Sequence, residues 1–99
     1  MTITVNQSEN VCTLQIEGRI DTVTSAQLES TFQENAAGCE KMIFDLTGVD
    51  YISSAGIRVL IASHRQMDKK GGLVLRGLNR NVLSILKMTG FDKIFSIES

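Results

Sequence analysis

The sequence is short of the residues from which most catalytic sites are built. It has one histidine, one tyrosine, two cysteines, no tryptophan and no proline. A hydrolytic triad would have to use His64. Its spacing from Ile57, Leu60 and Ile61 puts that side chain close to the apolar side of a helix, where packing is the expected role. Cys12 and Cys39 are not at metal-ligand spacing and are too few for a disulfide framework, so they are expected to be reduced thiols in a cytoplasmic protein. There is no basic excess: 10 lysines and arginines against 11 acids leave a net charge of -1, which argues against direct nucleic-acid binding. No apolar run approaches the roughly 20 residues that cross a bilayer. "MTITVNQSEN" lacks the basic and apolar regions of a signal peptide, so no membrane association is expected. No cofactor or metal signature is present either.

What is there suits a single globular domain. With 99 residues and 42% hydrophobic content, the chain can build one modest core and not two. Ile3 and Val5, then Val11, Leu14 and Ile16, alternate with polar residues around the turn formers "NQSEN". This predicts a hairpin closed by Gly18. Thr24 and Gln27 stand at capping-box spacing, and Leu28, Phe32 and Ala36 repeat every four residues, predicting a helix over about 22–37 ended by Gly38. "KMIFDL" (41–46) is a nearly continuous apolar run, the pattern of a strand covered on both faces.

A second helix is expected over about 54–70. Ile57, Leu60, Ile61, His64 and Met67 form its inward stripe, and Gly71 and Gly72 stop it. "LVLRGL" (73–78) reads as a strand. Asn79 can cap a third helix that carries Val82, Ile85 and Leu86 and ends near Gly90, and "KIFSI" supplies a last strand. The order β-β-α-β-α-β-α-β requires a mostly parallel sheet with right-handed crossovers and an antiparallel opening pair.

The stretch "DYISSAGIRVL" (50–60) places two hydroxyls at the mouth of the second helix. One of them is explained as an N-cap, worth about 1 kcal/mol. Phosphorylation offers the second a use. A phosphoserine carries about -1.5 to -2 charge, and at a helix N-terminus it meets free N–H groups while transforming a surface near Asp45, Asp50 and Asp21. A hydrolase elbow is excluded because Ile52 stands where G-x-S-x-G needs its first glycine. A phosphate loop is excluded because "KKGG" has the elements in the wrong order, at a helix end.

From "MIFDLTGVDY" through "ISSAGIRVL" to "LKMTGFDKIFSI", with "GRID" (18–21) upstream, the sequence resembles the STAS domains of bacterial anti-sigma factor antagonists. The resemblance implies an α/β domain: a mixed sheet of four or five strands with helices packed mainly on one side. It implies a non-enzymatic protein that binds an anti-sigma factor, itself a serine kinase. That kinase switches it off by phosphorylation, and a phosphoserine phosphatase restores it. Carried over, the acceptor is Ser54, two residues before Gly56. The family often has aspartate just before the acceptor. Ser53 stands there instead, leaving a second candidate hydroxyl and one negative charge fewer. Asp21, Ser53, Ser54 and the outward Arg58 are then expected at the partner surface. Asp45 and Gly56 are expected to support the loop, and Met67 and Met88 to be packing residues. The competing expectation is a non-phosphorylated STAS scaffold, or a binding module that senses a small ligand or nucleotide.

Overall fold

The computed structural model describes residues 1–98. Its elements are β1 (Thr2–Ser8), β2 (Val11–Ile20), α1 (Thr24–Ala36), β3 (Lys41–Ile52), α2 (Ser54–Met67), β4 (Leu73–Arg76), α3 (Arg80–Thr89), a 3-10 turn (Phe91–Lys93) and β5 (Ser96–Glu98). They form one five-stranded sheet in the order β1-β2-β3-β4-β5. β1 pairs antiparallel with β2, and each later pair is parallel.

This order decides where the helices go. Three successive crossovers step in the same direction along the sheet. Right-handed connections therefore place all three helices on one face. The core lies between that face and the helices. Cys12, Leu14 and Ile16 of β2, Met42, Phe44 and Leu46 of β3, and Leu73 and Leu75 of β4 pack with Leu28 and Phe32 of α1, Ile57, Leu60 and Met67 of α2, and Val82 and Leu86 of α3. Phe32 meets Phe44 edge to face at 6.0 Å, pinning α1 to the central strand. His64 packs edge to face on Phe95 at 5.6 Å and leaves only 13% of its side chain exposed beside Asp68. It belongs to packing, as its position in the helical stripe suggests.

Among the described residues no helix covers the opposite face of the sheet. Register lines up Thr4, Gln15, Asp45, Arg76 and Glu98 across it. Arg76 donates to Glu98 at 3.1 Å. Ile43, buried on this side, stands apart from the main core cluster.

Several boundaries differ from expectation for local reasons. β3 does not stop at Leu46 but runs on to Ile52, because two register shifts against β2, at Gln15/Glu17 and Gly18/Arg19, let "TGVDYI" keep pairing. Gly18 lies between those shifts with φ +109°, so it permits the irregularity inside β2 and does not close the strand. α2 ends at Met67, three residues early. β4 is four residues long. Most of "KIFSI" is consumed by the 3-10 turn and its exit, so β5 begins only at Ser96. Met67 is fully buried as expected, but Met88 is 85% exposed and is not a packing residue. It follows Lys87 on the outer side of α3, two positions past the inward Leu86.

Candidate functional site

The last residues of β2 and β3, Ile20 and Ile52, are partners in register and both point into the core. Just beyond them the Ser53 N–H donates to the Ile20 carbonyl at 2.8 Å, joining the start of α2 to the end of β2. Gly56 makes the join possible. A Cβ there would lie 2.6 Å from Ile20 Cγ2 and 2.8 Å from Ile52 Cγ1, so a side chain would push the first turn of α2 off the sheet. The absence of a side chain at Gly56 is what lets α2 start against Ile20 and Ile52.

The two serines separate cleanly. Ser53 is extended, and its Oγ accepts from the Gly56 N–H at 3.2 Å. Its carbonyl accepts from the Ile57 N–H at 2.9 Å. It is the N-cap. Ser54 is the first helical residue and is exposed. Among the described residues no protein group is bonded to its hydroxyl. The first turn of α2 contains no acidic residue, so the positive end of the helix has no fixed counter-charge of its own. Arg58 is exposed one turn further on.

Asp21 stands at the neighbouring helix start, and its carboxylate is occupied. Oδ1 accepts from the Val23 N–H at 3.0 Å and the Thr24 N–H at 2.9 Å. The Asp21 N–H donates to Thr24 Oγ1 at 2.8 Å, and the Ser25 N–H reaches the Asp21 carbonyl. This is a reciprocal capping box, three residues upstream of the one expected from Thr24 and Gln27. The Gln27 amide turns instead to the Met1 carbonyl. These bonds, the Thr24 N–H foremost, hold the Asp21 carboxyl below the usual carboxylate range. The box also presents Val23, which is 81% exposed.

Asp45 is not at this end. It sits mid-strand on the uncovered sheet face, roughly 25 Å along β3 from Ser53 at strand rise. Its Oδ1 accepts from Thr47 Oγ1 at 2.6 Å and the Thr47 N–H at 3.0 Å, and these bonds keep its carboxyl below the ordinary range. With Gln15, Ile16, Glu17, Thr47 and Gly48 it lines an open cleft of about 230 Å³ at the strand irregularity. It supports the shape of β3, not the serine loop, and a phosphate on Ser54 would not lie beside it.

Two features of the serine end escaped sequence reasoning. Asn79, which caps α3 through the Val82 N–H as its position suggests, also donates from Nδ2 to the Val49 carbonyl, and this tie between α3 and β3 is the part not foreseen. Arg19 and Tyr51 are direct partners across β2 and β3, and the guanidinium lies 4.5 Å over the Tyr51 ring. Each directly precedes an inward isoleucine, Ile20 or Ile52. Strand parity alone would have put the two on one face, had the length of β3 been known.

At the other end of the sheet, Cys12 and Cys39 are both free and buried. Burial raises both thiols above their ordinary range. No three histidine, cysteine or acidic residues are placed to hold a metal among the described residues. No helix among them is long and apolar enough to cross a membrane.

The mixed α/β sheet thus presents an exposed serine at the start of its central helix, and the same end of the sheet carries exposed Val23, Tyr51 and Arg19. The STAS domain family model matches residues 2–99. The anti-sigma-F factor antagonist RsfB of Mycobacterium tuberculosis is 32% identical over 103 residues, covering 100% of this chain and 82% of that protein. The crystal structure of an anti-sigma factor antagonist from Mycobacterium paratuberculosis matches with TM-score 0.87 at 26% identity, covering 97% of this chain and 83% of the other. The Bacillus protein SpoIIAA in its phosphorylated form, 10% identical, shares the fold at TM-score 0.74 over 99% of this chain and 92% of its own. The chain belongs to the STAS domain family of anti-sigma factor antagonists, regulators that are not enzymes.

Proposed function

We propose that this chain is an anti-sigma factor antagonist of the cytoplasm that binds an anti-sigma factor with serine kinase activity and is released when that kinase phosphorylates Ser54. The observation that carries the reading is the division of labour between the serines. Ser53 is committed to capping α2, while Ser54 offers an exposed hydroxyl at the first helical position.

The physical logic is local. A phosphate at Ser54 brings about -1.5 to -2 charge to a helix N-terminus that carries no acid, where it is accommodated without refolding. The same charge enters a surface that must be desolvated for a partner to dock. Affinity then falls through desolvation and through repulsion from any acidic group opposite. A phosphoserine phosphatase returns the binding form. No nucleic acid or membrane contact is part of the mechanism.

The test is intact-mass and peptide mass spectrometry after incubation with ATP and an active anti-sigma factor kinase, on wild type, Ser53→Ala and Ser54→Ala. The expected result is one phosphate on wild type and on Ser53→Ala, and none on Ser54→Ala. A phosphate lost only in Ser53→Ala moves the site. No phosphate on any of the three removes the switch.

A further inference from the structure

Two arginines lie on the uncovered side of the sheet, and they are used differently. Arg76 is paired within the chain, to Glu98 at 3.1 Å. Arg19 is not. Its guanidinium lies over the ring of Tyr51 at 4.5 Å, and it forms no ion pair with an acid among the described residues. The carboxylates nearest in sequence, Glu17 and Asp21, are each two residues away; neither is paired with Arg19, and Oδ1 of Asp21 is already taken by the Val23 and Thr24 N–H groups. Arg19 is exposed, Tyr51 is 37% exposed, and the ring belongs to the residue two ahead of the Ser53 cap.

Stacking on an aromatic face removes rotamer freedom from a long side chain while leaving the N–H edges of the guanidinium free. A cation held this way has less conformational entropy to lose when it meets an anion. Arginine and tyrosine are also the residue types that concentrate binding energy in interfaces. The backbone beneath is rigid as well. Thr24 Oγ1 donates to the Arg19 carbonyl at 2.7 Å from inside the capping box, and the pairing with Tyr51 sits next to the buried Ile20–Ile52 pair.

We propose that Arg19, laid on Tyr51, is a partner-selecting anchor at the Ser54 end of the sheet, and that it receives a carboxylate side chain of the docking protein. Charge complementarity sets the occupant: an exposed guanidinium with unpaired donors fits the fork of an aspartate or glutamate. The inference rests on the proposed antagonist function and adds to it the chemistry of one contact that is independent of the phosphate.

The experiment measures binding of immobilised chain to an anti-sigma factor kinase that phosphorylates it, for wild type, Arg19→Glu, Arg19→Lys and Tyr51→Leu, over a range of NaCl. Arg19→Glu is expected to weaken binding about tenfold or more, with an unchanged thermal melt because the side chain is exposed. Arg19→Lys should retain part of the affinity, having charge without the planar fork. Tyr51→Leu should lose severalfold, having the fork without its support. Reversal of one acidic residue on the kinase to arginine should restore binding to Arg19→Glu alone. Arg19→Glu binding within twofold of wild type overturns the inference and leaves the antagonist reading intact. A wild-type chain that no such kinase retains overturns that reading, and the anchor with it. A loss seen only when the kinase holds ATP would assign Arg19 to a phosphate and overturn the carboxylate assignment.

Discussion

The molecule starts two helices side by side, at the ends of β2 and β3, and it caps them in different ways. α1 is started by a carboxylate. Asp21 accepts from two backbone N–H groups and is itself bonded back by Thr24, so this helix end carries a permanent negative charge. α2 is started by a neutral hydroxyl. Ser53 accepts one N–H, and nothing acidic occupies the first turn. Both caps satisfy orphan donors. Only the second leaves the positive end of the helix dipole without an anion, and there a free hydroxyl waits at the next residue. The difference teaches that the α1 end is electrostatically complete as folded, whereas the α2 end is complete only as a fold. A phosphate added at α1 would crowd an existing carboxylate. Added at Ser54 it enters an unfilled field.

The largest expected effect comes from removing the space that lets the two helix starts lie together. Gly56→Ala places a methyl against Ile20 and Ile52 at distances below van der Waals contact. Overpacking of this kind destabilises by about 1–3 kcal/mol, read as a lower midpoint in urea unfolding. Because the first turn of α2 must lift, phosphorylation at Ser54 should fall as well. Full stability with the glycine replaced would show that α2 is not seated as described.

A smaller effect separates the two caps. Ser53→Ala should cost about 1 kcal/mol, and that cost should be the same at acidic and neutral pH because no charge is lost. Asp21→Asn should behave otherwise. The folded Asp21 carboxyl lies below its ordinary value, so its contribution is fully present above the unfolded pKa of about 4 and disappears as pH falls through the lower folded value. Wild type and Asp21→Asn should thus differ at neutral pH and converge in acid. Urea midpoints measured between neutral pH and about pH 2 check this. Parallel curves for wild type and Asp21→Asn would mean that the Asp21 carboxylate is not what starts α1.

How much of this was legible in the sequence follows from the range of the forces involved. Element order and helix faces are written in local periodicity, and they were readable. So were the cap at Asn79 and the left-handed stop at Gly90, where φ is +78°. The single helical layer was available only through the family resemblance; its physical cause, crossovers that all step one way, lies in the strand order. Part of what failed depended on a partner strand. The extension of β3 past Leu46 exists only because β2 supplies pairing through two register shifts, and neither strand announces them alone. The Thr24–Gln27 box looked sound by spacing but lost to Asp21, whose acceptor is stronger and whose position lets Thr24 bond back to it. Asp45 adjoins the serine loop only if β3 ends at Leu46, and the pairing with β2 carries the strand past it. Hydrophobicity alone points Met88 to the core, although it stands two residues past the inward Leu86 of α3. The acceptor serine itself was legible as a motif. Its free hydroxyl became visible only once Ser53 was seen to hold the cap.

The smallest expected change in stability is also the most discriminating. Ser54→Asp adds one negative charge at the first helical position of α2, where acids are stabilising by about 0.3–1 kcal/mol at low ionic strength. On folding grounds alone the substitution should therefore be neutral or slightly favourable, and any gain should fade as salt is added. On binding grounds it should be harmful, since the same charge faces the partner. Opposite signs in one variant are the signature of a surface switch. A substitution that loosened α2 would lower both quantities together, as Gly56→Ala is expected to do. Measured by urea unfolding and by partner titration on the same preparation, Ser54→Asp should hold or raise its midpoint while its complex weakens. Ser54→Ala should leave both near wild type. If Ser54→Asp lost stability and affinity in parallel, the weakened complex would trace to a damaged helix start, and the contrast between the two caps would lose its functional meaning.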